Sequence, residues 1–301
     1  MRGSAGPGAD LLLLVTNVVY GTAYAAQRLA LDAVPPAMLG FVRLAVASLI
    51  VLPFLRRPPG TRTAPGDGLK IFWMGVIGFG AAFVLSHFGM NWSTTTNAAL
   101  LIAMEPVAVM LLSPLVLGER LRRREALGAA LVLAGAVMVV LNGVPGLTVS
   151  LLPHWRGDAL IVLGAVAFAS YSLLGRDVLA RWDSRTVTAR SLAWGAASMV
   201  PVTAVEWAAG ARPAWTVPGT AATLYLAVVV TALAYLAWNA GLARVSAPRA
   251  AIFINVQPVV GVALGLWLLG EAATVYTLVG AGLVLAGLLV TTTGARPSPI
   301  P

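Results

Sequence analysis

Residues 98–120 read AALLIAMEPVAVMLLSPLVLGER, and residues 250–271 read AAIFINVQPVVGVALGLWLLGE. The two align without a gap at an offset of 152, with Ala98/Ala250, Ala99/Ala251, Ile102/Ile254, Pro106/Pro258, Val107/Val259, Leu112/Leu264, Leu117/Leu269, Gly118/Gly270 and Glu119/Glu271 identical. The same offset sets GAALVLAG at 128–135 against GAGLVLAG at 280–287. Unrelated apolar segments share Leu and Val by chance, but not Pro, Gly-Glu and GA-x-LVLAG in one register. The chain is therefore read as a duplication, and the fold of one half constrains the other. Earlier segments match more weakly: Arg28 falls opposite Arg176, and Arg43 opposite Arg190 after a one-residue gap.

Both copies are long and apolar enough to cross a bilayer. Hydrophobic residues make up 59% of the chain and charged ones 10%, against about 25% charged in a soluble domain, so lipid is the expected solvent. A span takes about 20 mostly apolar residues. That ruler gives ten spans: Leu11–Leu31, Ala37–Leu55, Leu69–Met90, Thr95–Leu117, Glu125–Leu141, Asp158–Gly175, Val187–Ala209, Gly219–Leu242, Pro248–Leu269 and Val275–Thr293. Pro, Gly and charge fill the breaks, as in RRPPGTRTAPGDG at 56–68 and GARPAWTVPG at 210–219. An Ala-x-Ala triplet at 23–25 resembles a signal-peptide cleavage site, but Asn17 and Tyr20 make a poor apolar core for such a segment.

The expected fold is an all-α integral membrane protein of ten transmembrane helices. Five spans per copy is an odd number, so the second copy enters the membrane from the opposite side. Residues 1–147 and 148–301 are thus expected to form two inverted five-helix repeats around a central cavity, an architecture typical of secondary transporters. With the N-terminus inside, fifteen Arg and Lys residues fall in or beside cytoplasmic loops and only Arg28, Arg156 and Arg212 outside. That bias places both termini in the cytoplasm of a multi-pass inner-membrane protein. It also accounts for the net charge of +9 without nucleic acid. With no cysteine and only His87 and His154, neither a metal site nor a cofactor is expected. The expected partners are a small-molecule substrate and the lipid bilayer, with the chain a monomer or homodimer.

Polar groups inside the spans are the candidate site. Glu105 would cost about 2.5–3.5 kcal/mol if charged and facing lipid at mid-span, so it should point inward, either as a coupling or amine-binding group or as a neutral interhelical hydrogen-bond partner. Its twin is Gln257. Pro106 and Pro258 each remove an amide and push away the carbonyl of Ile102 or Ile254, which marks a kink that lines the substrate path or packs on a neighbour. Asn17, Tyr20, Tyr24, His87, Tyr171, Tyr235, Asn239 and Asn255 complete the candidate lining, with Trp73, Trp194 and Trp238 as added aromatic surface. Arg43 and Arg190 suit either a substrate carboxylate or a helix-end carbonyl. Glu119 and Glu271 are expected to complement the dipole of the next helix. The GVALG at 261–265 and the paired GA-x-LVLAG segments suit close helix packing, within the chain or in a dimer.

The stretches STTTNAALLIAMEPVAVMLLSPLVLGERL at 93–121 and VSAPRAAIFINVQPVVGVALGLWLLGE at 245–271 resemble the drug/metabolite transporter superfamily, EamA type. The likeness extends over nearly all ten spans, with Tyr20-Gly21 where the family often has Trp-Gly. It implies two inverted five-helix bundles and export of amino acids, related metabolites or drugs. The reading is a secondary transporter exporting amino acids or related small metabolites by alternating access. Its rivals are a multidrug or amphipathic-cation exporter, a nucleotide-sugar-like exchanger and, from another class, an integral-membrane enzyme. No HExxH or cluster of intramembrane acids supports the enzyme.

Overall fold

The computed structural model describes residues 7–118, 123–141, 154–242 and 252–292, and all of its regular structure is helical. The helices are α1 (Pro7–Leu31), α2 (Pro36–Ile50), α3 (Asp67–Gly75), α4 (Ala82–Asn91), α5 (Thr95–Leu101), α6 (Met104–Leu117), α7 (Arg123–Leu141) and α8 (Trp155–Arg181). They continue as α9 (Ser184–Ala208), α10 (Val217–Leu224), α11 (Ala234–Leu242), α12 (Val256–Trp267) and α13 (Val275–Thr292). Two π-helical stretches, Val76–Ala81 and Tyr225–Leu233, join α3 to α4 and α10 to α11 into continuous rods.

Turn chemistry sets the ends. Pro36 stands in the first turn of α2, where its missing N–H removes no helical bond. Side chains of Thr94, Asp183 and Thr216 accept the capping N–H groups of Asn97, Thr186 and Gly219. Gly118 and Gly270, the glycines of the duplicated Gly-Glu, take φ of 69° and 65° after α6 and α12. Only a residue without a Cβ makes that left-handed turn without strain.

Among the described residues, six helical segments are long and apolar enough to cross a membrane: Gly8–Leu31, Asp67–Asn91, Thr95–Val116, Arg123–Leu141, Trp155–Arg181 and Val217–Trp238. The expectation of ten is met by these criteria in those six alone. Helix α2 stops at Ile50 rather than running to Leu55, because Pro53 throws the chain into a 3₁₀ turn at Leu52–Phe54. Its 15 residues reach about 22 Å. Helix α9 is 25 residues long but carries Arg185, Arg190 and Glu206. α12 and α13 are shorter apolar helices.

The two GA-x-LVLAG segments pack on each other. A Cβ on Gly128 would stand 2.8 Å from the Gly287 carbonyl oxygen, and one on Gly135 2.7 Å from that of Gly280. Helices α7 and α13 thus meet backbone to backbone, glycine facing glycine, as lipid-embedded helices do where small residues recur. Gly261 and Gly265 of GVALG likewise face Ala99 and Thr96 of α5. These small-residue faces are used inside the chain. The other main packings set α12 against α1 and α5, α8 against α4 and α6, α9 against α2 and α3, and α2 against the second π stretch.

Two glutamates cap helices far away in sequence. Glu271 accepts the N–H groups of Thr95 (2.6 Å) and Thr96 (2.7 Å) at the start of α5. It therefore serves that helix and not α13, the one that follows it. Its twin Glu119 lies outside the described residues. Glu206 of α9 accepts from Ala37 (3.1 Å) and Met38 (2.9 Å) at the start of α2. Inside a membrane no water meets the orphan amides of a helix N-terminus, so a carboxylate brought from another helix meets them. Asp158, at the start of α8, accepts from Ser93 and Asn97 and ties α8 to the junction before α5. Asp67 pairs with Arg181 at 2.5 Å and accepts from Trp182 Nε1 at 3.0 Å, linking α3 to the end of α8.

Candidate functional site

Both duplicated segments break three residues before their proline. Ile102–Ala103 interrupts the run between α5 and α6, and Asn255 interrupts the run into α12. The cause is the proline ring, which excludes the carbonyl four residues back from the α-helical ladder. That carbonyl finds a local partner in the first copy: Ile102 O accepts from Glu105 N at 2.9 Å, a tighter 3₁₀-type bond. The break turns Glu105 and Pro106 toward the same space that Gln257 and Pro258 face.

That space is a cavity of about 270 Å³. Tyr20, Tyr24 and Gln27 of α1 enter it at i, i+4 and i+7, one helical face. Phe83, His87 and Met90 of α4 do the same from across the cavity. The second half contributes Ile161 and Phe168 of α8, with Tyr235 and Trp238 of α11. Phe79 is fully buried behind one wall and meets Phe83, Phe168, Tyr171 and Tyr235 edge-on, with centroids 5.2–6.1 Å apart. Tyr20 and Tyr235 meet edge-on at 5.7 Å.

Polar groups on these walls differ in how they are held. His87 Nδ1 donates to Pro36 O at 3.2 Å, a tautomer fixed by the partner's being a carbonyl. Gln257 Nε2 donates to Asn17 Oδ1 at 2.8 Å. Arg43 Nε donates to Thr231 Oγ1 at 2.7 Å, and the guanidinium lies 4.5 Å above the Phe83 ring. Thr231 sits in the second π stretch, where its hydroxyl donates to Leu226 O, five residues back. The wide turn thus leaves the hydroxyl oxygen free to accept from Arg43. Glu105 has no ion-pair partner among the described residues.

Of the residues expected at the site, Tyr20, Tyr24, His87, Glu105, Pro106, Tyr235, Gln257 and Pro258 line the cavity. Three described residues do not. Asn17 is fully buried in α1, donates to Leu13 O at 2.7 Å and holds Gln257 from behind. Tyr171 stands behind the wall on Phe79 and Phe168, its hydroxyl 3.3 Å from Thr188 Oγ1. Asn255 occupies the break before α12, off the cavity. The side chain of Asn239 lies outside the described residues. Trp73 and Trp194 face outward, 42% and 46% exposed, and only Trp238 of that group reaches the cavity. Arg190 takes the helix-end role, donating to Leu55 O at 3.1 Å, and Arg43 alone of the two reaches the cavity. Sequence reasoning missed Gln27, Phe83, Ser86 and Phe168. The spacings of Tyr20, Tyr24 and Gln27, and of Phe83, His87 and Met90, carried the signal for the first two.

The description of the EamA-like transporter family matches residues 7–141 and again 155–293. The chain belongs to that family. EamA-like relatives include a "probable terminal-alkyne amino-acid exporter" of Streptantibioticus cattleyicolor, 29% identical over 92% of this chain and 91% of that protein. A "probable amino-acid metabolite efflux pump" of Salmonella typhimurium is 28% identical over 95% of each chain. An "uncharacterized transporter" of Archaeoglobus fulgidus is 27% identical over 94% and 96%. A protein of known crystal structure superposes with a TM-score of 0.65 over 96% of this chain and 98% of its own, at 18% identity, a likeness of fold alone. This EamA-like chain is thus a multi-pass membrane transporter whose cavity lies beside its two proline breaks.

Proposed function

We propose that this EamA-like protein is a secondary transporter of the inner membrane that exports amino acids or related small metabolites by alternating access. The carrying observation is the cavity: residues from both halves of the chain line it, and both prolines, Pro106 and Pro258, stand in its wall. Relatives named as an amino-acid exporter and an amino-acid metabolite efflux pump support the substrate class. The volume, about 270 Å³, suits a small metabolite and falls below the usual range of drug-sized sites.

In this proposal the halves, residues 1–147 and 148–301, are inverted five-helix repeats, ten spans in all, with both termini cytoplasmic. The helix packing supports it. Helix α6 packs on α8 as α12 packs on α1, α3 packs on α9 as the second π stretch packs on α2, and α7 packs on its own counterpart α13. Tyr20, Tyr24, His87, Glu105, Tyr235 and Gln257 would contact the solute, Asn17 and Tyr171 would back them, and the breaks at Pro106 and Pro258 would hinge the path. The protein in vesicles loaded with an unlabelled amino acid should take up the labelled amino acid by saturable counterflow. Flux that neither saturates nor exchanges would contradict a carrier.

A further inference from the structure

The cavity wall carries one cation and one carboxylate, and the two do not neutralise each other. Arg43 is 8% exposed, and its only side-chain hydrogen bond among the described residues runs from Nε to Thr231, which leaves both Nη groups without a protein acceptor. Glu105 likewise has no donor to its carboxylate among the described side chains. Tyr20, Tyr24 and Tyr235 line the same cavity as Arg43 and Glu105. No ion pair joins Arg43 to Glu105 among the described residues. Arg43 and Glu105 thus share one tyrosine-lined cavity without forming an ion pair with each other.

Two ionisable groups left unpaired in a membrane-embedded hollow are costly whenever they carry charge, and a chain that needed only packing would pair or lose them. A guanidinium held at Nε by Thr231 and stacked on Phe83 presents its Nη fork in a fixed direction, the geometry that accepts a carboxylate through two parallel bonds. A lone carboxylate in the same cavity suits an ammonium group. Tyr20 on the same wall adds a third unsatisfied group, since its hydroxyl is buried without a partner. Phe168, Met90, Ile161 and Leu288 give the wall an apolar portion.

We infer that the cavity reads a free α-amino acid as a dipole: Arg43 takes the α-carboxylate, Glu105 takes the α-ammonium, and an apolar side chain rests against Phe168 and Met90. The inference rests on the transporter reading above and sharpens it. It excludes simple amines, which leave Arg43 unmatched, and fatty carboxylates, which leave Glu105 unmatched. An unmatched buried charge costs far more than a lost contact, and that asymmetry supplies the selectivity.

The test is counterflow in vesicles with three labelled probes: leucine, 3-methylbutylamine (leucine without its carboxylate) and 4-methylpentanoate (leucine without its amine). The wild-type protein should carry leucine and reject both analogues. Arg43→Gln should raise the apparent KM for leucine about tenfold or more while improving the amine relative to leucine. Glu105→Gln should do the same for the carboxylate analogue. Arg43→Lys keeps the charge and should partly restore leucine, which separates recognition from misfolding. Equal loss for all three probes in both Gln variants, or amine carried as well as leucine by the wild type, would overturn the dipole and leave the carrier standing. No saturable flux of any probe would overturn both.

Discussion

At the scale of single residues, the unexpected work is done by carboxylates that never reach the cavity. Glu271 holds two orphan amides of α5 with its two oxygens. Glu271→Gln keeps the shape but leaves one acceptor for two N–H groups. It should lower stability by about 1–2 kcal/mol, read as an earlier thermal transition in detergent. An unchanged transition would mean that the capping bonds contribute nothing. The sequence placed Glu271 at a helix end correctly and named the wrong helix, because a cap across 176 residues leaves no mark in local spacing. Glu206 was invisible for the same reason. Asn17 shows the complementary failure. Polarity inside a span marks a group that needs a partner, and Leu13 O and Gln257 supply it from within the protein, so being polar did not make it a lining residue.

At the scale of elements, the breaks and the glycine seam were the legible parts. The prolines at 106 and 258 announced kinks, and the structure puts the interruptions at the paired positions 103 and 255. The repair of Ile102 O by Glu105 N was not legible, since it depends on how tightly the chain turns. Pro106→Ala restores an amide that can donate to Ile102 O and regularise the helix. The variant should fold, with an unchanged or higher thermal transition, and transport more slowly; wild-type turnover would show that the break is only a packing feature. The two π stretches carry no sequence signature either, yet one of them sets the direction of Thr231 and so of Arg43. The GA-x-LVLAG octets told their own story, because only closely packed backbones need glycine at that spacing in lipid. Gly135→Leu drives a side chain into the Gly280 carbonyl and should cost about 1–3 kcal/mol. A variant as stable as the wild type would mean that α7 and α13 separate freely.

At the scale of the whole molecule, composition alone made lipid the solvent, and ten apolar runs were readable where six helices among the described residues are long and apolar enough to span. The inward faces were harder to read. In a chain that is apolar on every side, hydrophobic contrast no longer tells core from surface, and only the few polar and aromatic positions point anywhere. Ser86, a small residue beside Gly164 on the cavity wall, was passed over for that reason. It now offers the most direct measurement of alternating access. The chain has no cysteine, so Ser86→Cys creates a single thiol inside the cavity. In oriented vesicles a small, membrane-impermeant thiol reagent should modify it from either face, and a saturating transported amino acid should slow both reactions. Modification from one face only, with or without the solute, would contradict a cavity that opens to the two sides in turn.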